Sequence, residues 1–277
     1  MKKLLLILVA ASVSISCGSD ETETKETPAE TRATFSQITE GTWVMTDYIA
    51  DLQKTKSPKA SADKLKGVVA MEIDPTEQDS DSTIVSANFN NHEGMTFYLY
   101  FRAGQEANSL ATALTDEDGS GNFYDLGYTV KGDDTLLELK HYNKEKKLLD
   151  TRIFTKVTGP LTADSEPYGL QYMANKVLFA GNYNVTDDEG NSFEVELTDD
   201  GMAKGMEGHT TYYVFTDFMG GEQTNLDEMV FDPGVKSQKP YIFEIKGDTT
   251  LLYKAMENED RTLLIQGPLV YTMVRKK

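Results

Sequence analysis

The stretch KGDDTLL at Lys131–Leu137 recurs almost unchanged as KGDTTLL at Lys246–Leu252. Six of the seven positions agree at an offset of 115 residues, and Leu148-Leu149 recurs as Leu263-Leu264 at the same offset. Phe154-Thr155 answers to Tyr271-Thr272, and Val157 to Val274, after a shift of two residues. Upstream, Gly41-Thr42-Trp43 leads into Thr46-Asp47 and Gly181-Asn182-Tyr183 leads into Thr186-Asp187, at an offset of 140. Matches that keep one order describe a duplicated unit, the second copy being shorter inside by about 25 residues.

Within each copy the dominant hydrophobic period is two, the period of a strand. Phe97, Leu99 and Phe101 alternate with Tyr98, Tyr100 and Arg102, and Tyr212 and Val214 with Tyr213 and Phe215. The pattern predicts strands near 43–50, 67–74, 83–90, 95–102, 109–115, 123–131, 134–142 and 147–157 in copy one. In copy two it predicts them near 181–186, 192–198, 201–206, 210–218, 226–232, 240–246, 249–256 and 261–275. Lys131-Gly132-Asp133 and Lys246-Gly247-Asp248 supply residues that tolerate positive φ in a tight hairpin. A meander of about eight antiparallel strands can close on itself and lose its exposed edges.

Gly41-x-Trp43 at the head of the first strand, after a short turn at Phe35–Glu40, resembles the start of a lipocalin-like (calycin-like) β-barrel. The resemblance implies an all-β chain of two tandem antiparallel barrels, with a tryptophan closing the base of the first; Tyr183 replaces it in the second. The alternative architecture is a pair of β-sandwiches. The expected domains are a first barrel over 35–160 and a helix plus second barrel over 161–277.

The stretch missing from copy two falls mainly between its first two strands. In copy one Ser57 can cap a helix, Pro58 fits its first turn and Gly67 can stop it. A helix at that place resembles the portal lid of intracellular fatty-acid-binding barrels. Trp43, Phe97, Leu99 and Phe101 would then be wall or floor residues of a site for a small apolar ligand; the competing reading is plain core packing. Between the copies, Leu170, Met173, Ala174, Val177 and Leu178 follow helical spacing, with Ser165 as a candidate cap and Pro167 near the start. Such a stripe must be buried, and the expected place is the end of the second barrel, the alternative being the space between the two barrels.

Residues 1–16 have the layout of an export signal: Lys2 and Lys3, then an apolar run from Leu4 to Ala11 that is too short for a bilayer span of about 20 residues. Ser14-Ile15-Ser16-Cys17 resembles a bacterial lipobox, which implies acylation of Cys17 and attachment to outer-membrane lipid, palmitate included. An ordinary signal-peptidase site at Ser14 and Ser16 is the alternative. Gly18-Ser19-Asp20-Glu21 resembles the acidic signal that sends lipoproteins of the Bacteroidetes to the outer face of the outer membrane. Residues 17–34 carry no large apolar group after the cysteine and read as a disordered tether.

The chain has 45 acids against 27 bases, a formal charge of −18, and loss of Lys2 and Lys3 with the leader makes it −20. That balance disfavours nucleic acid and anionic headgroups as partners. A single cysteine excludes an internal disulfide. The three histidines, His92, His141 and His209, stand far apart, without HExxH or Gly-x-Ser-x-Gly spacing. Thr115–Phe123 (TDEDGSGNF) and Asp187–Gly190 are rich in oxygen ligands but lack the spacing of an EF-hand, so they read as acidic turns. The expectation is a binding module with no catalytic residues, metal or cofactor, its partner a small apolar ligand or envelope component, or alternatively another protein held on the outer barrel surface in the manner of an inhibitor or assembly factor. An enzyme would require His92 and several acids to converge.

Overall fold

The structure, a computed structural model, describes residues 27–79, 81–132, 134–159, 169–218 and 223–277. The leader, Cys17, the first part of the tether, Asp133, Ser165 and Pro167 lie outside the described residues. The first unit is a closed antiparallel barrel of β1 (Gly41–Met45), β2 (Val68–Gln78), β3 (Ser82–Phe89), β4 (Glu93–Ala103), β5 (Ser109–Thr115), β6 (Phe123–Lys131), β7 (Asp134–Tyr142) and β8 (Leu148–Lys156) in sequence order. β1 pairs with both β2 and β8, so the ladder has no free edge and a sandwich is excluded for this unit. Alternate positions point inward, and Trp43, Met71, Val85, Leu99, Leu126, Leu137 and Phe154 fill the interior.

Two segments depart from the sequence reading. Residues 28–34 were expected in the tether and 35–40 in a turn, yet Pro28–Thr39 form a helix, α1. Thr27 and Glu30 make a reciprocal capping box, with Glu30 N–H donating to Thr27 Oγ1 at 3.4 Å and Thr27 N–H to Glu30 Oε2 at 2.9 Å. Phe35 then packs edge-on to Tyr128, ring centroids 5.3 Å apart, and that one buried aromatic anchors the polar helix at the base of the barrel. Secondly, the strand expected to reach residue 50 stops at Met45, and Thr46–Thr55 form α2. Helical geometry puts Tyr48, Ile49 and Leu52 on one face, where Tyr48 and Leu52 are fully buried. The expected short helix follows as α3 (Pro58–Ser61): Ser57 Oγ accepts from Ala60 N–H at 3.0 Å, Pro58 opens it, and Gly67 at φ +68° turns the chain into β2.

The second unit begins with α4 (Leu170–Leu178). Its strands are β9 (Gly181–Asp187), β10 (Ser192–Leu197), β11 (Ala203–Lys204), β12 (Tyr212–Val214), β13 (Glu228–Phe231), β14 (Lys239–Lys246), β15 (Thr249–Glu257) and β16 (Leu264–Arg275). They form one antiparallel sheet in the order β11-β10-β9-β16-β15-β14-β13-β12. β11 and β12 are much shorter than expected, because Gly201, Gly205 and Gly208 all take positive φ and break the segment into turns. The sheet curls until these end strands meet, but they are joined by a single bridge, Met202 to Thr211, rather than a ladder. The repeated stretches occupy equivalent places: KGDDTLL turns β6 into β7, and KGDTTLL turns β14 into β15.

The units stand head to tail. α4 does both of the things its stripe allows: it packs on β12 at the base of the second unit, and it packs on α2 of the first. Around that contact Asn91 Nδ2 donates to the Thr216 carbonyl at 2.8 Å, His92 Nδ1 lies 2.7 Å from Asp217 Oδ2, and Lys59 N–H donates to Asp227 Oδ1 at 2.7 Å. No helix among the described residues is long and apolar enough to cross a membrane.

Candidate functional site

The end of the first barrel opposite Trp43 gathers the α2–α3 excursion and the β3–β4, β5–β6 and β7–β8 turns. At this end a cavity of about 400 Å³ opens among the start of β2, the upper ends of β3 to β8 and the β5–β6 turn; no residue of α2 or α3 lines it. Its wall is built by inward positions near the strand ends: Val68 on β2, Phe89 on β3, Met95 on β4, Leu114 on β5, Tyr124 on β6 and Leu139 on β7. Its rim is charged, with Glu93 from β4, Asp116, Glu117 and Asp118 from the β5–β6 turn, and Arg152 from β8. A site of this size, apolar within and polar at the lip, is the usual form of a small-ligand pocket.

The rim is held by specific contacts. Asp116 accepts from Asn122 Nδ2 at 2.8 Å and from the Tyr124 hydroxyl at 2.8 Å, and its Oδ2 lies 3.0 Å from His141 Nε2. His141 stacks on Tyr124 with centroids 4.3 Å apart, and its Nδ1 faces Asp150 Oδ2 at 3.1 Å. Burial works to raise the Asp116 pKa, but the hydrogen bonds from Asn122 and Tyr124 and the His141 contact outweigh it and hold the carboxyl below its ordinary value. Burial, with the hydrogen bond to Asp116, pushes the Tyr124 phenol well up, so it stays a donor. Both ring nitrogens of His141 face carboxylates, which leaves neither directed at the cavity as a base.

Arg152 sits directly opposite Leu139 across the β7–β8 ladder and so faces inward at the mouth. Its Nη1 donates to the Lys66 carbonyl, and its guanidinium occupies the space that a Cβ on Gly67 would need. The absence of a side chain at Gly67 therefore lets the start of β2 close onto the rim.

The four residues expected to line a ligand site are placed elsewhere. Trp43, Phe97, Leu99 and Phe101 are at most 5% exposed, pack in the filled lower part of the barrel, and are not among the cavity's lining residues. On β4, Glu93 and Met95 line the cavity, and Phe97, Leu99 and Phe101 continue the same face downward into the core. His92 lies outside the cavity in the contact with Asp217, and the histidine that meets acids at the mouth is His141. Two carboxylates of the acidic turns bond within the turns: Asp118 accepts from Ser120 N–H, and Asp187 from Glu189 N–H and from Asn191. Among the described residues, no group of three or more His, Cys, Asp or Glu side chains is arranged to hold a metal ion.

Sequence periodicity had marked Phe89, Tyr124, Leu139 and Arg152 as strand residues without saying how high each stands in the barrel. Height follows from register, which is a cross-strand property. No protein-family model matches the chain, and no curated protein matches it.

Proposed function

We propose that this chain is a non-catalytic binding module of lipocalin-like architecture, whose first barrel takes a small, largely apolar ligand at its mouth. The observation that carries this reading is the cavity of about 400 Å³ with a wall of Phe89, Met95, Leu114, Tyr124 and Leu139. The export leader and the lipobox-like Ser14–Cys17 support a protein anchored to outer-membrane lipid through acylated Cys17 and displayed at the cell surface. Titration of the mature protein with an uncharged environment-sensitive probe tests the binding reading. A saturable signal that is lost when Leu114→Trp fills the cavity is expected, and a signal that never saturates overturns it. Metabolic labelling with palmitate tests the anchor, which fails if the wild type and Cys17→Ala fractionate alike.

A second reading, a protein-interaction or inhibitor module, is favoured by one feature of the outer surface. Tyr98 and Tyr100 stack on the outward face of β4 with centroids 6.4 Å apart, and Arg102 lies over the Tyr100 ring at 4.6 Å. Tyr98 is 48% exposed, and such aromatic and arginine groups are enriched where proteins meet. Loss of a pulled-down partner on Tyr98→Ala, with probe binding unchanged, would select this reading.

A further inference from the structure

We infer that the ligand of the first barrel is an amphiphile whose exposed end is cationic, an amine or quaternary ammonium on an apolar stem, rather than a fatty acid. The inference rests on the binding reading above and names the chemistry of the group left at the rim.

The cavity separates its two kinds of surface. Its wall is mostly apolar and leads down to the packed barrel core; of the polar groups beside it, the Tyr124 hydroxyl is already given to Asp116, Arg152 is held by the Lys66 carbonyl, and Thr115 stands on an exposed position at the lip. The rim carries four carboxylates, Glu93, Asp116, Glu117 and Asp118, against one guanidinium, Arg152. That cation is engaged by the Lys66 carbonyl and packed over Gly67, where it braces the lip. His92 stands beside Glu93 and interacts with it electrostatically, but its ring nitrogen is given to Asp217 at 2.7 Å, and among the described residues neither Glu93 nor Glu117 makes a salt bridge within 4 Å. A carboxylate headgroup would be placed among like charges with a single committed counter-ion, whereas an ammonium would meet three carboxylates in excess. In a partly enclosed mouth such charges are screened less than on an open surface. Asp116 and Asp118 are both held below the ordinary carboxylate range by hydrogen bonds, the first against the effect of burial, so the rim stays negative in mildly acidic solution.

The test compares dodecyltrimethylammonium, dodecyl maltoside and dodecanoate, each below its micelle-forming concentration, as displacers of the uncharged probe from the full mature protein. At about 0.15 M salt the cationic amphiphile is expected to displace at a concentration lower by about tenfold or more than dodecanoate, with the maltoside between them. In Glu93→Gln/Glu117→Gln the cation's advantage over the maltoside, taken as the ratio of their displacing concentrations, should fall severalfold. In Asp188→Asn/Glu189→Gln, which removes two exposed acids from the second unit, it should stay. Equal or tighter displacement by dodecanoate overturns the inference and leaves the binding module standing. So does an advantage that both double variants reduce alike, since the bulk charge of the chain would then explain it. If no amphiphile displaces the probe, or the probe itself does not bind, the apolar-ligand reading falls and the inference falls with it.

Discussion

The indole Nε1 of Trp43 donates to the carbonyl of Thr39 at 2.8 Å, four residues back at the end of α1. The Tyr183 hydroxyl makes the same link to the Phe179 carbonyl at 2.7 Å, just after α4. In each unit the aromatic lies under a cation of the last strand, Lys156 at 5.5 Å from Trp43 and Arg275 at 5.1 Å from Tyr183. Each pair is also directly opposite in the ladder. The base of each unit is thus a helix end, an aromatic and a basic residue tied together, and the tyrosine does the tryptophan's work by reaching the carbonyl with its hydroxyl.

Truncating this base should show its weight. Trp43→Ala is expected to cost about 3–5 kcal/mol, as for other large buried aromatics, and Tyr183→Phe about 1 kcal/mol for the lost hydrogen bond. Urea unfolding followed by far-ultraviolet circular dichroism gives both numbers.

Asp232 and His209 form a buried pair with Oδ2 and Nδ1 2.7 Å apart, and Asp232 Oδ1 also accepts from Thr210 N–H at 2.9 Å and Thr211 N–H at 3.2 Å. Burial works to raise the Asp232 pKa, but these donors outweigh it and hold the carboxyl far below its usual range. A depressed folded-state pKa contributes stability that is present above the ordinary carboxylate value and lost as pH falls through the depressed one. Asp232→Asn keeps a residue that tolerates the positive φ at this position and removes the charge. It should cost about 2–3 kcal/mol at neutral pH, and the difference from wild type should shrink as an acid titration proceeds below pH of about 4.

Glu228 behaves in the opposite sense. Burial alone raises its pKa to about 7. Its stabilising contribution is therefore complete below the ordinary glutamate value and is lost as pH rises through about 7. Glu228→Gln should stabilise the protein by about 1–2 kcal/mol at pH 8, discounted for solvent screening, and have little effect at pH 4. Thermal unfolding of both proteins across that range checks the sign, and a Gln variant less stable at pH 8 would contradict the assignment.

Gly67→Ala places a Cβ at φ +68° and against the Arg152 guanidinium. The backbone conformation disfavours alanine, so a loss of about 1–2 kcal/mol is expected. The same change should loosen the lip and weaken probe binding, with Trp43 emission unaltered because the indole lies at the other end of the barrel.

Most of the strand framework was legible because a strand's period is local. Thirteen of the elements named from alternation and turn residues lie within a few residues of their observed ends, KGDDTLL and KGDTTLL turn the hairpins they were expected to turn, and Ser57, Pro58 and Gly67 start and stop the α3 excursion as expected. Where the local signal was weak, tertiary packing overrode it. α1 has a polar composition but is fixed by Phe35 against Tyr128, and α2 replaces the end of an expected strand because Tyr48 and Leu52 find a buried face in helical form.

By itself, then, the sequence determined most of the strands and their turns, which depend on residues close together in the chain, and the repeat, which is read from the residues directly; with aromatics on both faces it did not say which face of each strand is inside. Only the tertiary structure decided which inward residues stand at the open end. Met95 lines a cavity and Phe97 does not, and Asp116, Tyr124, His141 and Asp150 meet although 34 residues separate the first from the last. The reason is physical: height in a closed barrel is fixed by the register between neighbouring strands, and register is settled by the ladder as a whole.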